Sequence, residues 1–109
     1  MMFRYSVDGL ECDNKLGCDS LYDYLDSLPS IMEISKTLPP QIFEGKGTPG
    51  FSGFVVLDRG YIAVHAFPEK NACYMEMSLD RMVDEKYLDH FTSTFKPKKV
   101  NVENRGESA

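Results

Sequence analysis

The sequence predicts an α+β fold, a two-layer sandwich in which two helices cover one face of a mostly antiparallel sheet. Three observations carry this expectation. The strand-like runs between Phe51 and Leu79 are joined by turns too short for a crossover helix, so neighbouring strands run antiparallel. One segment before those runs and one after them place apolar residues at helical spacing. The order strand, helix, four strands, helix, strand then supplies two amphipathic faces for a single sheet.

Phe3 to Val7 alternates apolar and polar residues, as a half-buried strand does, and Asp8-Gly9 follows as a turn. Asp19 is a reasonable N-cap for a helix carrying Leu21, Tyr24, Leu25 and Leu28 on one face. Pro29 is expected to interrupt that helix, with a second short helical stretch from Ile31 to Ser35. Pro39-Pro40 forces an extended entry into a strand over Gln41 to Glu44. The glycines between Gly45 and Gly50 mark a loop. Phe51 to Leu57, Tyr61 to Phe67 and Ala72 to Leu79 read as three more strands, with turns at Asp58-Arg59-Gly60 and at Pro68 to Asn71. Asp84 begins a helix with Tyr87, Leu88, Phe91 and Phe95 on one side, and Val100 to Val102 reads as a last short strand. Residues 1–103 form one expected domain, and 104–109 an expected polar, frayed tail.

A chain of 109 residues suffices for one compact domain, and 42% apolar with 27% charged residues lies in the globular range. A net charge of −5 argues against nucleic-acid binding, and the cluster Lys96-Pro97-Lys98-Lys99 reads as a solvated loop. No apolar run approaches membrane-spanning length, so no membrane partner is expected. Three cysteines and no signal peptide imply free thiols and a cytoplasmic location. Cys12 and Cys18 have no zinc-type spacing and no nearby His, so no metal is expected.

Strand alternation sorts the second hairpin strand into Ile62, Val64 and Ala66, which should pack under the helices, and Tyr61, Ala63, His65 and Phe67, which point the other way. In the next strand Tyr74, Glu76 and Ser78 separate from Cys73, Met75, Met77 and Leu79. One sheet face is therefore aliphatic. The other mixes aromatics with His65, Glu76 and hydroxyls, as a dimer interface or a ligand floor would.

The segment Gly50 to Leu57, followed by Tyr61-Ile62-Ala63-Val64-His65-Ala66-Phe67-Pro68-Glu69, resembles the central block of the bacterial and archaeal S-adenosylmethionine decarboxylases. That block runs G-V-S-G, an aliphatic run, E-S-H, an aliphatic run, then H-T-W-P-E. The spacing matches without gaps from Ser52 to Glu69. Glu11-Cys12-Asp13, the final helix and Lys98 to Val102 also fall where the family has corresponding segments. The resemblance implies a two-layer sandwich that dimerises face to face, with a nucleoside pocket between subunits. By position it implies that Ser52 and His65 match residues assisting self-processing, and that Glu69 matches a carboxylate holding ribose hydroxyls. Phe67 stands where the family has Trp.

The family cuts its own chain between Glu and Ser in the hairpin turn. The Ser hydroxyl attacks the preceding carbonyl, the resulting ester eliminates, and a pyruvoyl cofactor is left. Here the matching pair is Arg59-Gly60, and glycine has no Cβ to carry the required heteroatom. The family's proton-donating Cys aligns with Asp80, and Cys73, on the aliphatic face, is a poor substitute. The resemblance therefore implies a chain that makes no pyruvoyl cofactor, a nucleoside-binding or regulatory pseudoenzyme that would hold S-adenosylmethionine or a related nucleoside through His65, Phe67 and Glu69. Its expected partner is a second copy or an active paralogue. Two alternatives stay open: an active decarboxylase of S-adenosylmethionine or an amino acid by an atypical route, and an assembly module whose pocket is filled by Tyr61, Phe67 and Tyr74.

Overall fold

Alternating burial along each strand and a buried stripe on each helix build the two layers. A computed structural model of the protein describes residues 2–13 and 16–108, with side chains through Asn104. The elements are β1 (Met2–Leu10), α1 (Cys18–Ile31), β2 (Gln41–Glu44), β3 (Phe51–Leu57), β4 (Gly60–Phe67), a 3-10 turn (Pro68–Lys70), β5 (Ala72–Leu79), α2 (Lys86–Phe95) and β6 (Lys99–Ser108). The six strands form one sheet in the order β2-β3-β4-β5-β1-β6. Every pairing is antiparallel. The expected two-layer α+β sandwich is the observed architecture.

The core lies between the sheet and the two helices. Ile62, Val64, Ala66, Met75, Met77 and Leu79 present the aliphatic face of β4 and β5 to it. Leu21, Tyr24, Leu25 and Leu28 of α1 and Tyr87, Phe91 and Phe95 of α2 close it from above. Close approach needs small residues beneath. A Cβ at Gly9 would lie 2.9 Å from the Phe91 ring, and one at Gly53 2.8 Å from Leu25.

Five local expectations are corrected. Asp8-Gly9 is not a turn: both residues lie within β1, which runs to Leu10 and is paired there with β5 and β6. Pro29 does not end α1, which continues through it to Ile31; residues 32–35 turn away instead of forming a second helix. Leu28 and Pro29 are both buried, so packing holds the last turn despite the lost backbone donor. The N-cap of α1 is Gly17, not Asp19, and its N–H donates to the Ser20 hydroxyl at 3.1 Å. The second helix begins at Lys86, with the Asp84 carboxylate accepting the Lys86 N–H at 3.0 Å. The expected last strand continues beyond Val102 to Ser108, because β1 offers it a long antiparallel ladder; Ala109 lies outside the described residues.

Candidate functional site

The helices leave one sheet face uncovered, and the candidate residues lie there. Period-2 alternation decides which side chains reach it. Register decides which of them meet. Across the sheet, Phe43 is opposite Ser52, Ser52 opposite His65, His65 opposite Tyr74, and Tyr74 opposite Asp8. Within this row the Ser52 Oγ is 2.8 Å from the His65 Nδ1. A hydroxyl and an imidazole at that distance can exchange a proton and together hold a polar ligand atom.

A shallow depression of about 200 Å³ adjoins His65 and is lined by Ser6, Asp8, Tyr74 and Glu76. A second, of about 220 Å³, is lined by Arg4, Ser6, Tyr61, Glu76 and Glu103. The floor thus carries carboxylates, hydroxyls and one guanidinium beside aromatic rings. Toward β2 and β3 the same face turns apolar: Phe43, Phe54, Val56 and Tyr61 are 37–56% exposed, and Phe43 stacks on Phe54.

Phe67 stands at the end of β4, its ring 5.7 Å from that of Tyr74 at 63°. The Lys70 ammonium lies 5.9 Å above the Phe67 ring. Glu69 follows in the exposed 3-10 turn. Phe67, Tyr74, Lys70 and Glu69 therefore form one end of the face, next to the Ser52–His65 pair. Of the three rings expected to crowd together, only Phe67 and Tyr74 do so; Tyr61 lies opposite Ser78, toward the other end.

Gly60 and Asp80 are also at that other end, where Gly60 is opposite Leu79. Gly60 lies five residue steps from His65 along β4, about 17 Å at the rise of an extended chain. One chain therefore does not bring Gly60 and Asp80 together with His65 and Glu69. Asp80 Oδ1 instead lies 3.2 Å from Arg81 Nε. The hairpin turn itself is Asp58-Arg59, with Gly60 as the first residue of β4. Gly60 has φ +146°, and a Cβ there would lie 2.1 Å from the Ser78 carbonyl oxygen. Its backbone is therefore one that only glycine adopts without strain.

The titratable groups that the fold perturbs are on the covered side. Burial pushes the Cys73 thiol up, and the neighbouring Cys12 adds to the effect. A thiol so held stays protonated and is a poor nucleophile. Burial likewise raises Tyr24 and lowers His90. Among the described residues no group of three or more His, Cys, Asp or Glu is arranged to hold a metal ion, and no helix is long and apolar enough to cross a membrane.

The sequence reading placed His65 and Phe67 on this face and singled out Ser52 and Glu69 beside them; it did not single out Ser6 and Asp8, which line the depression next to His65. The alternation of β1 signals which way they point. That β1 inserts between β5 and β6 is a long-range choice without a local signal.

Three comparisons with known proteins bear on the family and the fold. The family model described as S-adenosylmethionine decarboxylase matches residues 4–106. The crystal structure of the adenosylmethionine decarboxylase from Aquifex aeolicus superimposes with a TM-score of 0.82 at 15% identity, covering 100% of this chain and 92% of that one. Among curated protein sequences none is significantly similar.

Proposed function

The chain belongs to the S-adenosylmethionine decarboxylase family, and from that premise we propose that it is a member that does not process itself and acts as a nucleoside-binding or regulatory pseudoenzyme. One observation carries the reading. Gly60 stands where the resemblance places the serine precursor of the pyruvoyl group, and its φ of +146° and contact with the Ser78 carbonyl leave no room for any Cβ. The residues present do not fit that cofactor: without a heteroatom on Cβ, neither acyl shift nor elimination can start.

What supports retained binding is the other end of the face. His65, held by Ser52 at 2.8 Å, supplies a polar anchor. Phe67, packed against Tyr74, offers an aromatic surface of the kind on which a nucleobase stacks. Glu69, exposed in the turn beyond, is placed to accept hydrogen bonds from a ribose diol. The ligand is S-adenosylmethionine or a related nucleoside. The partner is a second copy meeting the apolar half of the uncovered face, where Phe43, Phe54, Val56 and Tyr61 are otherwise left in water. Such a pairing would also bridge the distance between the Gly60 end and the His65 end by drawing them from different subunits.

Intact-mass spectrometry and calorimetry test the two halves separately. A single full-length chain is expected, together with saturable heat on adding S-adenosylmethionine that His65→Ala weakens. Two fragments, the larger blocked by a keto acid, would overturn the loss of processing. No heat at millimolar ligand, with the protein folded, would remove the nucleoside.

A further inference from the structure

The two edges of the sheet are protected very differently. β2, at one edge, is only four residues long and follows Pro39-Pro40, so it offers little backbone for pairing. β6, at the other, is ten residues long, contains no proline, and is hydrogen-bonded to β1 alone among the described residues. Its outer row of N–H and C=O groups is a template for another strand. Pairing with β1 is regular from Lys99 through Arg105; the irregularity lies beyond, opposite the stretch between Met2 and Arg4.

The side chains of this regular stretch are self-complementary. Val100 and Val102 lie on the helix side, opposite Gly9 and Val7, yet remain 36% and 39% exposed because neither helix reaches over them. Lys99, Asn101 and Glu103 alternate with them and share the uncovered face. We infer that β6 is a self-association edge: two copies pair it antiparallel about a two-fold axis at Asn101, making one sheet continuous through both molecules.

This register sets Val100 opposite the second copy's Val102, twice, and Lys99 opposite its Glu103, twice. Cross-strand apolar and opposite-charge pairs of this kind each stabilise a ladder modestly. Neighbouring registers lose the match. An axis at Val102 sets Asn101 opposite Glu103, and one at Glu103 sets two carboxylates face to face. The exposed contact of Lys99 with Glu11, at 3.5 Å, does not prevent the arrangement, since surface ion pairs exchange partners at little cost. Edge pairing leaves the uncovered sheet face free, so it stands independently of any face-to-face dimer.

The register makes the test specific. In a Cys18→Ser background, which removes the exposed thiol, Asn101→Cys puts two thiols directly opposite at the axis, with Cα atoms about 4.5–5.5 Å apart and within disulfide reach. Lys99→Cys puts them about 13 Å apart along the strands. With mild copper–phenanthroline oxidation, Asn101→Cys is expected to give a covalent dimer and Lys99→Cys to remain a single chain on a non-reducing gel. Circular dichroism confirms that each variant folds. A monomeric Asn101→Cys band, or equal cross-linking of both variants, would overturn the proposal. To separate this contact from pairing through the open face, the same experiment is run with Phe54→Asp added. Cross-linking at position 101 should survive that change; its disappearance would assign the contact to the open face.

Discussion

A single methyl group has no place at residue 60. The Ser78 carbonyl occupies the position that a Cβ would need, and φ of +146° is unfavourable for any residue that has one. On the proposed reading, the change at this position is more than the exchange of one side chain, because the backbone at the hairpin holds a glycine conformation. On that reading, Gly60→Ser is expected not to give self-processing. The variant is expected to lose about 1–3 kcal/mol of stability in urea unfolding, the usual cost of a forced backbone conformation, and still to run as one intact chain. A fully stable variant that splits into two fragments would show that the hairpin readily accepts the serine. At the other end of β4, the Ser52–His65 contact needs no such adjustment, since cross-strand register already places the two side chains side by side.

The two helices are joined by more than apolar packing. Between α1 and α2 the His90 ring stacks on Tyr24 with centroids 5.1 Å apart, and its Nε2 lies 2.7 Å from the Ser27 hydroxyl. That hydroxyl also donates to the Asp23 carbonyl at 2.7 Å, which leaves its oxygen to accept the imidazole N–H. Burial lowers the pKa of His90 below its ordinary value of 6.5. In the window between the lowered folded value and 6.5, the unfolded chain binds more protons than the folded one, so stability rises with pH there. The stability that comes from burying the ring uncharged is fully present above that window and is lost as pH falls through it. Denaturant titrations at successive pH values should give a steeper loss on acidification for the native chain than for His90→Gln. Identical slopes would mean that the histidine titrates in the folded protein as it does in the open chain.

For the whole molecule, one face is sealed and the other open. The sealed face holds the core; the open one combines an apolar half near β2 and β3 with a polar half near β5 and β1. Burying the apolar half against a second copy is the simplest way to remove those rings from water. Phe54→Asp, at a site 37% exposed and stacked on Phe43, should therefore shift the sedimentation behaviour of the protein toward a smaller species without unfolding it. Unchanged size after that substitution would rule this face out as a contact between copies.

The sequence by itself determined the class of fold, the order of its elements and the face on which the residues of β4 and β5 lie. Those features follow from local periodicity: alternation along β4 and β5, helical spacing in α1 and α2, and short turns that force antiparallel neighbours. The same local reading placed His65 and Phe67 on the open face and Gly60 at the hairpin. It misjudged Pro29, because buried packing around the last turn of α1 outweighed the residue's intrinsic preference. It also cut β6 short, because a polar strand has no apolar pattern and gains its order from the ladder with β1. Only the tertiary structure decided that β1 enters between β5 and β6, bringing Ser6 and Asp8 beside His65, and that Gly60 faces the Ser78 carbonyl. These are contacts between residues far apart in the chain, and register across strands is set by the packing of the whole sheet.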